Sequence, residues 1–215
     1  MIFANNSMLM FRSRNQSPLD KNRYVQLDYL ESTGSQWIDT GYVPAIGDSI
    51  SVEFSFSLSR EAAIFSAGTG SYQTTIVFFG NSLYMRYFSS SPAPSFDGSF
   101  STGVWYSFDV QGDGSATVNG LYHANATPLS GVGANETMRV FCRANGTSFL
   151  WGKIRGFAVR DASGSLVRSL VPCIRLSDGK PGMYDICGSI CPLTGTPFYI
   201  NSGTGADFKY PASSS

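Results

Sequence analysis

ISVEFSFSL, residues 50–58, alternates without a break. Ile50, Val52, Phe54, Phe56 and Leu58 fall on one side of an extended chain, and Ser51, Glu53, Ser55 and Ser57 on the other. A repeat of two with one apolar and one polar side predicts a β-strand with one face in a core and one in water. Working outward, the same reading predicts strands over 24–30 (YVQLDYL), 35–40 (SQWIDT), 62–67 (AAIFSA), 72–79 (YQTTIVFF) and 82–88 (SLYMRYF). Further strands are expected over 104–111 (VWYSFDVQ), 115–120 (SATVNG), 137–143 (TMRVFCR), 153–160 (KIRGFAVR) and 166–173 (LVRSLVPC). Glycine- and serine-rich breaks separate them, with hairpin turns expected at Gly80-Asn81 and Gly112-Asp113-Gly114. SSSPAPSFDGSFS (89–101) is the longest internal loop, because its two prolines keep it out of a central strand. No segment carries a helical repeat. About eleven short strands fit an all-β fold, a two-sheet antiparallel jelly-roll sandwich that covers its apolar faces by packing sheet on sheet.

Composition narrows the function classes. The 215 residues carry 15 basic and 15 acidic side chains, so overall charge gives no reason to expect nucleic acid. Only 14% of residues are charged and 23 are glycine, a Ser/Thr/Asn/Gly surface suited to an extracellular or particle-bound protein. Arg12, Arg14, Lys21 and Arg23 stand against Asp20 alone in the first 23 residues. Residues 1–23 are therefore read as an extended N-terminal arm or a disordered leader, and 24–215 as the sandwich. Within the arm, Met10, Phe11, Arg12 and Arg14 are the docking candidates. Asn5-Asn6-Ser7 interrupts the apolar start and the arginines follow it, so it does not read as a signal peptide, and synthesis in a cytoplasm without Sec export is expected. The five Asn-x-Ser/Thr sequons then carry no meaning.

Two phrases resemble a known family. Tyr29-Leu30-Glu31-Ser32-Thr33-Gly34, followed by Gln36-Trp37-Ile38-Asp39-Thr40-Gly41, resembles the opening of the concanavalin A-like (laminin-G-like) jelly-roll modules of phage structural and gut-bacterial surface proteins. KIRGFAVRDASGSLVRSLVPCIRLSDGKPGMYD (153–185), with Val171-Pro172-Cys173, Gly182-Met183-Tyr184-Asp185 and the closing Asn201-Ser202-Gly203-Thr204-Gly205, is similar to the end of those modules. The resemblance covers about residues 24–210. It implies the concanavalin A-like sandwich, and functions that range from lectins and hydrolases to adhesins and capsid decorations. On this reading Val171–Gly205 is a closing flap, with turns at Asp178-Gly179 and Pro181-Gly182 and a last short strand at Phe198-Tyr199-Ile200. Cys187-Gly188-Ser189-Ile190-Cys191 departs from the pattern as a local insertion.

The chemistry is weighed residue by residue. Cys187 and Cys191 form one short-spaced pair, but Cys142 and Cys173 are too far apart in sequence to complete a four-cysteine zinc site. Free thiols are expected, with a disulfide from Cys187 to Cys191 or to Cys173 open if the protein ends outside the cell. His123, the one histidine, has no nucleophile motif around it. Of the four glutamates, Glu53 sits on a wet strand face with no second acid at i+2 or i+4, so the paired carboxylates of a glycosidase are missing. Calcium would need clustered oxygens, whereas Asp97 and Asp113 stand singly. No cofactor is expected.

Sugar binding asks for less: aromatic faces with a few hydrogen-bonding groups. In VWYSFDV the inward set is Val104, Tyr106, Phe108 and Val110, which leaves Trp105, Ser107 and Asp109 outside. In SLYMRYF the outward set is Tyr84, Arg86 and Phe88. Trp105, Asp109, Tyr84 and Arg86 are thus the ligand candidates, expected on one sheet. The expected protein is a non-enzymatic phage virion subunit (capsid decoration, head fibre or tail-associated). It would dock on other virion proteins through its arm in several copies and present a weak glycan- or host-surface-binding sandwich. The alternative is a free-standing lectin or bacterial surface adhesin.

Overall fold

The computed structural model describes residues 19–68, 73–79, 82–89, 95–96, 100–124, 129, 133–189 and 198–211. Sixteen strands are described: β1 (Tyr24–Gln26), β2 (Leu30–Thr33), β3 (Ile38–Asp39), β4 (Ser49–Phe56), β5 (Ala62–Ala67), β6 (Gln73–Phe79), β7 (Ser82–Ser89) and β8 (Ser95–Phe96). The second half adds β9 (Tyr106–Val110), β10 (Ala116–Val118), β11 (Leu121–His123), β12 (Arg139–Val140), β13 (Trp151–Arg160), β14 (Leu166–Arg175), β15 (Lys180–Asp185) and β16 (Phe198–Tyr199). They build two antiparallel sheets. The large one runs β11-β10-β9-β4-β13-β14-β15-β16, with β1 on β14 and β2 on β13, and the small one runs β3-β12-β5-β6-β7-β8.

The decisive alternation holds where the strand holds. Ile50, Val52, Phe54 and Phe56 are all buried in the core between the sheets. Phe65 of the small sheet meets Phe157 of the large one at 5.6 Å, and Phe96 meets Phe108 at 5.2 Å. Each such fully buried ring contributes roughly 1.5–3 kcal/mol of transfer free energy. The alternation fails where backbone geometry departs from the pleat. Leu58 lies past the end of β4 and is exposed, as is Val104 before β9. Phe88, expected outside, is buried because its φ of +45° breaks the period of two, so that it and Tyr87 both enter the core with their rings 4.7 Å apart.

The Glu-Ser-Thr-Gly phrase is a structural lock. Gly34 has a φ of +94°, and a Cβ there would lie 1.8 Å from Trp151 Nε1, so only glycine lets the indole of β13 lie against this turn. The buried Gln36 side chain accepts from Thr33 N at 2.8 Å and donates to Ala206 O at 3.0 Å, tying the opening of the domain to its end. Lys209 N donates to Glu31 O and Glu31 N to Lys209 O, and Phe208 packs on Phe141 at 5.0 Å.

The closing segment departs from expectation at Pro181-Gly182, which form no turn. They belong to β15, opposite Ile174 and Cys173. Proline is tolerated near the start of the strand. Gly182 serves close approach, since a Cβ there would lie 2.4 Å from Tyr199 O. Strands β2, β8, β11 and β15 also have no counterpart among the expected strands, and β8 falls inside the expected long loop. Gln111–Ser115 does form the expected hairpin turn, whereas Gly80-Asn81 lies outside the described residues.

A second apolar cluster lies on the outer face of the large sheet. Leu19, Tyr24, Val171, Cys173 and Phe198 are buried there, with Tyr184 and Ile186 against them. Leu19, ahead of Tyr24, is thus packed on the sandwich. Met10, Phe11, Arg12 and Arg14 lie outside the described residues.

Candidate functional site

Trp105 is the expected ligand residue around which the structure gathers others. It immediately precedes β9, where Tyr106, Phe108 and Val110 are buried, so alternation turns Trp105, Ser107 and Asp109 to the outer face of the large sheet. There the Trp105 ring lies 6.0 Å from the ring of Tyr29, tilted by 50°. The Arg155 guanidinium sits 3.8 Å from the Trp105 centroid, and the Lys153 ammonium 4.6 Å from the Tyr29 centroid. Tyr29 precedes β2 and Trp105 precedes β9, two strands apart across β13 and β4. The rings therefore reach toward each other over the sheet instead of standing upright on it. All four side chains are partly exposed.

The other candidates do not join them. Asp109 shares the face, but it is only 7% exposed, enclosed in register between Ser51 and Thr117. Tyr84 and Arg86 are on β7 of the small sheet, between the buried Leu83, Met85 and Tyr87, and so on the opposite outer face of the sandwich. The single platform expected for the four residues is split in two. The chain crosses between sheets after β4 and returns at β9, so strands near in sequence need not share a face.

Sequence reasoning missed Tyr29, Lys153 and Arg155. Lys153 and Arg155 carried a signal, two cations at i and i+2 on one strand; Tyr29 carried none. Each tryptophan of the chain holds an arginine on its ring: Arg139 at 4.5 Å from Trp37, Arg155 on Trp105, and Arg60 at 4.7 Å from Trp151. Cation–π contact of this kind contributes about 0.5–1 kcal/mol at exposed sites.

Several other titratable groups are held in hydrogen bonds or buried within the fold. Arg168 Nε donates to Thr40 O at 2.9 Å and lies 3.6 Å from Asp185 Oδ2, both side chains being almost wholly buried. Burial pushes the Asp185 carboxyl up, against the amides of Ser169 and Cys187 that donate to it. Burial likewise raises Asp48, which accepts from Tyr42 Oη and Ala45 N, both at 2.8 Å. Cys142 and Cys173 are buried free thiols, each pushed up to about 12 by desolvation. The Cys187 thiol donates to Leu166 O at 3.5 Å, and Cys191 lies outside the described residues. His123 is at the end of β11, 4.6 Å edge-on to Phe96, and not in a loop. Asp113 accepts from Ser115 N and Oγ across its turn, and Asp97 lies outside the described residues. Among the described residues no group of three His, Cys, Asp or Glu is placed to hold a metal ion.

No family model and no curated protein matches the sequence. Solved structures do resemble it. A putative carbohydrate binding protein from Bacteroides ovatus aligns with a TM-score of 0.53 at 12% identity, over 86% of this chain and 60% of that one. Domains LG4-5 of the mouse laminin alpha1 chain align with a TM-score of 0.50 at 14% identity, over 71% of this chain and 44% of that one. The native heptameric SAP-like pentraxin from Limulus polyphemus aligns at 0.47 and 16% identity, over 66% and 78%. The chain has the concanavalin A-like jelly-roll fold. Within that jelly roll the resemblance carried by the Glu31–Gly34 and Gly182–Asp185 phrases holds at the level of fold. The chain spans 44% of the laminin chain and 60% of the Bacteroides chain.

Proposed function

We propose that this jelly roll is a non-enzymatic recognition module that holds glycan on the outer face of its large sheet, with Trp105 at the centre. The observation that carries the reading is the convergence of Trp105, Tyr29, Arg155 and Lys153, drawn from three separate segments onto one partly exposed patch. Aromatic surface beside fixed hydrogen-bond donors is what a sugar ring with its hydroxyl groups requires. The likeness to the putative carbohydrate binding protein of Bacteroides ovatus supports glycan as the ligand class. A glycan array tests the reading: hits on the full chain should weaken at least tenfold in Trp105→Ala, equivalent to about 1.4 kcal/mol. An array without hits, or binding unchanged in a folded Trp105→Ala protein, would remove it.

A second proposal concerns the setting, which is a phage virion. It rests on the resemblance of the Glu31–Gly34 and Gly182–Asp185 phrases to phage structural modules, while Leu19 and Tyr24 fasten the start of the described chain to the outer face of the large sheet. The basic segment carrying Met10, Phe11, Arg12 and Arg14 therefore joins the sandwich at a fixed point, from which it would dock on a neighbouring capsid or tail protein. Symmetric copies would add avidity to weak glycan contacts. A bacterial cell surface is the alternative setting, and a full-length chain that does not join particles would favour it.

A further inference from the structure

We infer that the ligand of the Trp105 face is an acidic glycan, its carboxylate or sulfate groups taken by Arg155 and Lys153. The inference rests on the glycan reading above and goes beyond it in naming the charge of the ligand and the two residues that select it.

Neither ring offers a bare face on the side its cation covers. Arg155 lies on Trp105 at 3.8 Å and Lys153 on Tyr29 at 4.6 Å. A neutral sugar laying its apolar C–H face on the covered side of the indole would have to displace the guanidinium. A guanidinium stacked on an aromatic ring, by contrast, keeps its in-plane N–H fork free, the geometry that matches a carboxylate or sulfate with two parallel hydrogen bonds. The rings thus act as a bed that holds two cations in place before any ligand arrives, which reduces the ordering cost of binding.

The carboxylates nearby form no ion pair with these cations. Ion pairs among the described residues join Arg143 to Glu61, Arg168 to Asp185 and Arg175 to Asp178, and neither Lys153 nor Arg155 takes part in one. Glu31 is directly across the β2–β13 pair from Lys153, yet the ammonium rests on Tyr29. Glu53 pairs in register with Gly156 and Ser107, beside the point where the β13 register shifts between Ile154 and Gly156, leaving Arg155 as the extra residue. That bulge re-aims one side chain, and here the side chain reaches across β4 to Trp105. Asp109 is nearly buried. Glu31 and Glu53 stand directly beside these cations, so an anionic group is favoured only where it meets Arg155 or Lys153 in direct contact.

The test compares the full-length chain and its Arg155→Gln, Lys153→Gln and Arg155→Lys variants. Titration calorimetry would use three probes: a sulfated glycosaminoglycan hexasaccharide, a hexameric uronic acid oligosaccharide and a neutral β-glucan hexasaccharide. Far-UV circular dichroism verifies that each variant is folded. Binding of one or both acidic probes is expected. It should weaken at least tenfold in each glutamine variant, less in Arg155→Lys, and fall as salt rises from 50 to 300 mM. Binding of the neutral probe alone would overturn the inference while the glycan reading stands. Acidic-probe binding that is indifferent to both glutamine variants would place the site elsewhere and overturn it too. Binding of none of the three would remove the inference, and an array without hits would remove the glycan reading with it.

Discussion

At the scale of the residue, much of this fold rests on positions where a side chain would not fit. Gly34 and Gly103 both have positive φ, +94° and +78°, but their surroundings differ. A Cβ at 103 meets nothing within 4 Å, whereas one at 34 would overlap the Trp151 indole. Gly103→Ala should therefore cost about 1 kcal/mol, the strain of a left-handed backbone with a Cβ. Gly34→Ala adds a steric clash against a side chain held under Arg60, and should cost about 3 kcal/mol or more. Urea unfolding of the two variants checks this, and equal losses would show that the Gly34–Trp151 contact is not tight. The Glu-Ser-Thr-Gly phrase could be recognised in the sequence as a marker of the fold. Its cause could not, because Trp151 is more than a hundred residues away.

At the scale of the element, the sequence pattern located β4, β5, β6, β7, β9, β13 and β14 to within a few residues; β4 alternates over most of its length as a strand between core and solvent must, whereas β5 is a short apolar run buried at all six positions. The pattern failed for strands with neither signal to show. β15 reads KPGMYD, and its proline and glycine look like a turn until Gly182 is seen against Tyr199. The segment Leu19–Gln26 is a latch. With Phe198 it roofs Cys173 on the outer face of β14, and β1 pairs with β14 from Tyr24 opposite Arg175 to Gln26 opposite Cys173. Removing the aromatic roof should open this cluster without melting the main core. In Tyr24→Ala, labelling of Cys173 by a thiol reagent at neutral pH should accelerate at least tenfold while Cys142 stays protected. The reason is that burial is what holds the Cys173 thiol up at about 12, far from its reactive thiolate. If both cysteines label together, the cluster is part of the global unfolding unit and not a latch.

At the scale of the whole molecule, the two outer faces of the sandwich are separate surfaces, and the anchored Leu19–Tyr24 segment belongs to the large-sheet side. Light scattering on the full chain against a chain starting at Leu19 tests the assembly role. A full-length oligomer that becomes a folded monomer is expected if residues 1–18 join copies of this chain to one another. Two identical monomers would show that they do not, leaving a foreign partner or no docking role. An unfolded truncation product would show that residues 1–18 are needed for folding and would count against a separate arm.

The sequence by itself determined the class of fold: alternation, turn glycines and the two end phrases are local signals, and each follows from what one strand or one turn needs. It also singled out Trp105, because a large aromatic at an outward position is readable from its neighbours alone. The tertiary structure alone decided what surrounds that residue. Tyr29, Lys153 and Arg155 reach it because β2, β13, β4 and β9 lie side by side, an order unrelated to their order in the chain. Tyr84 and Arg86 leave it for the same reason. Which strands become neighbours is set by how two complete sheets close over one shared core, and no stretch of a few residues carries that information.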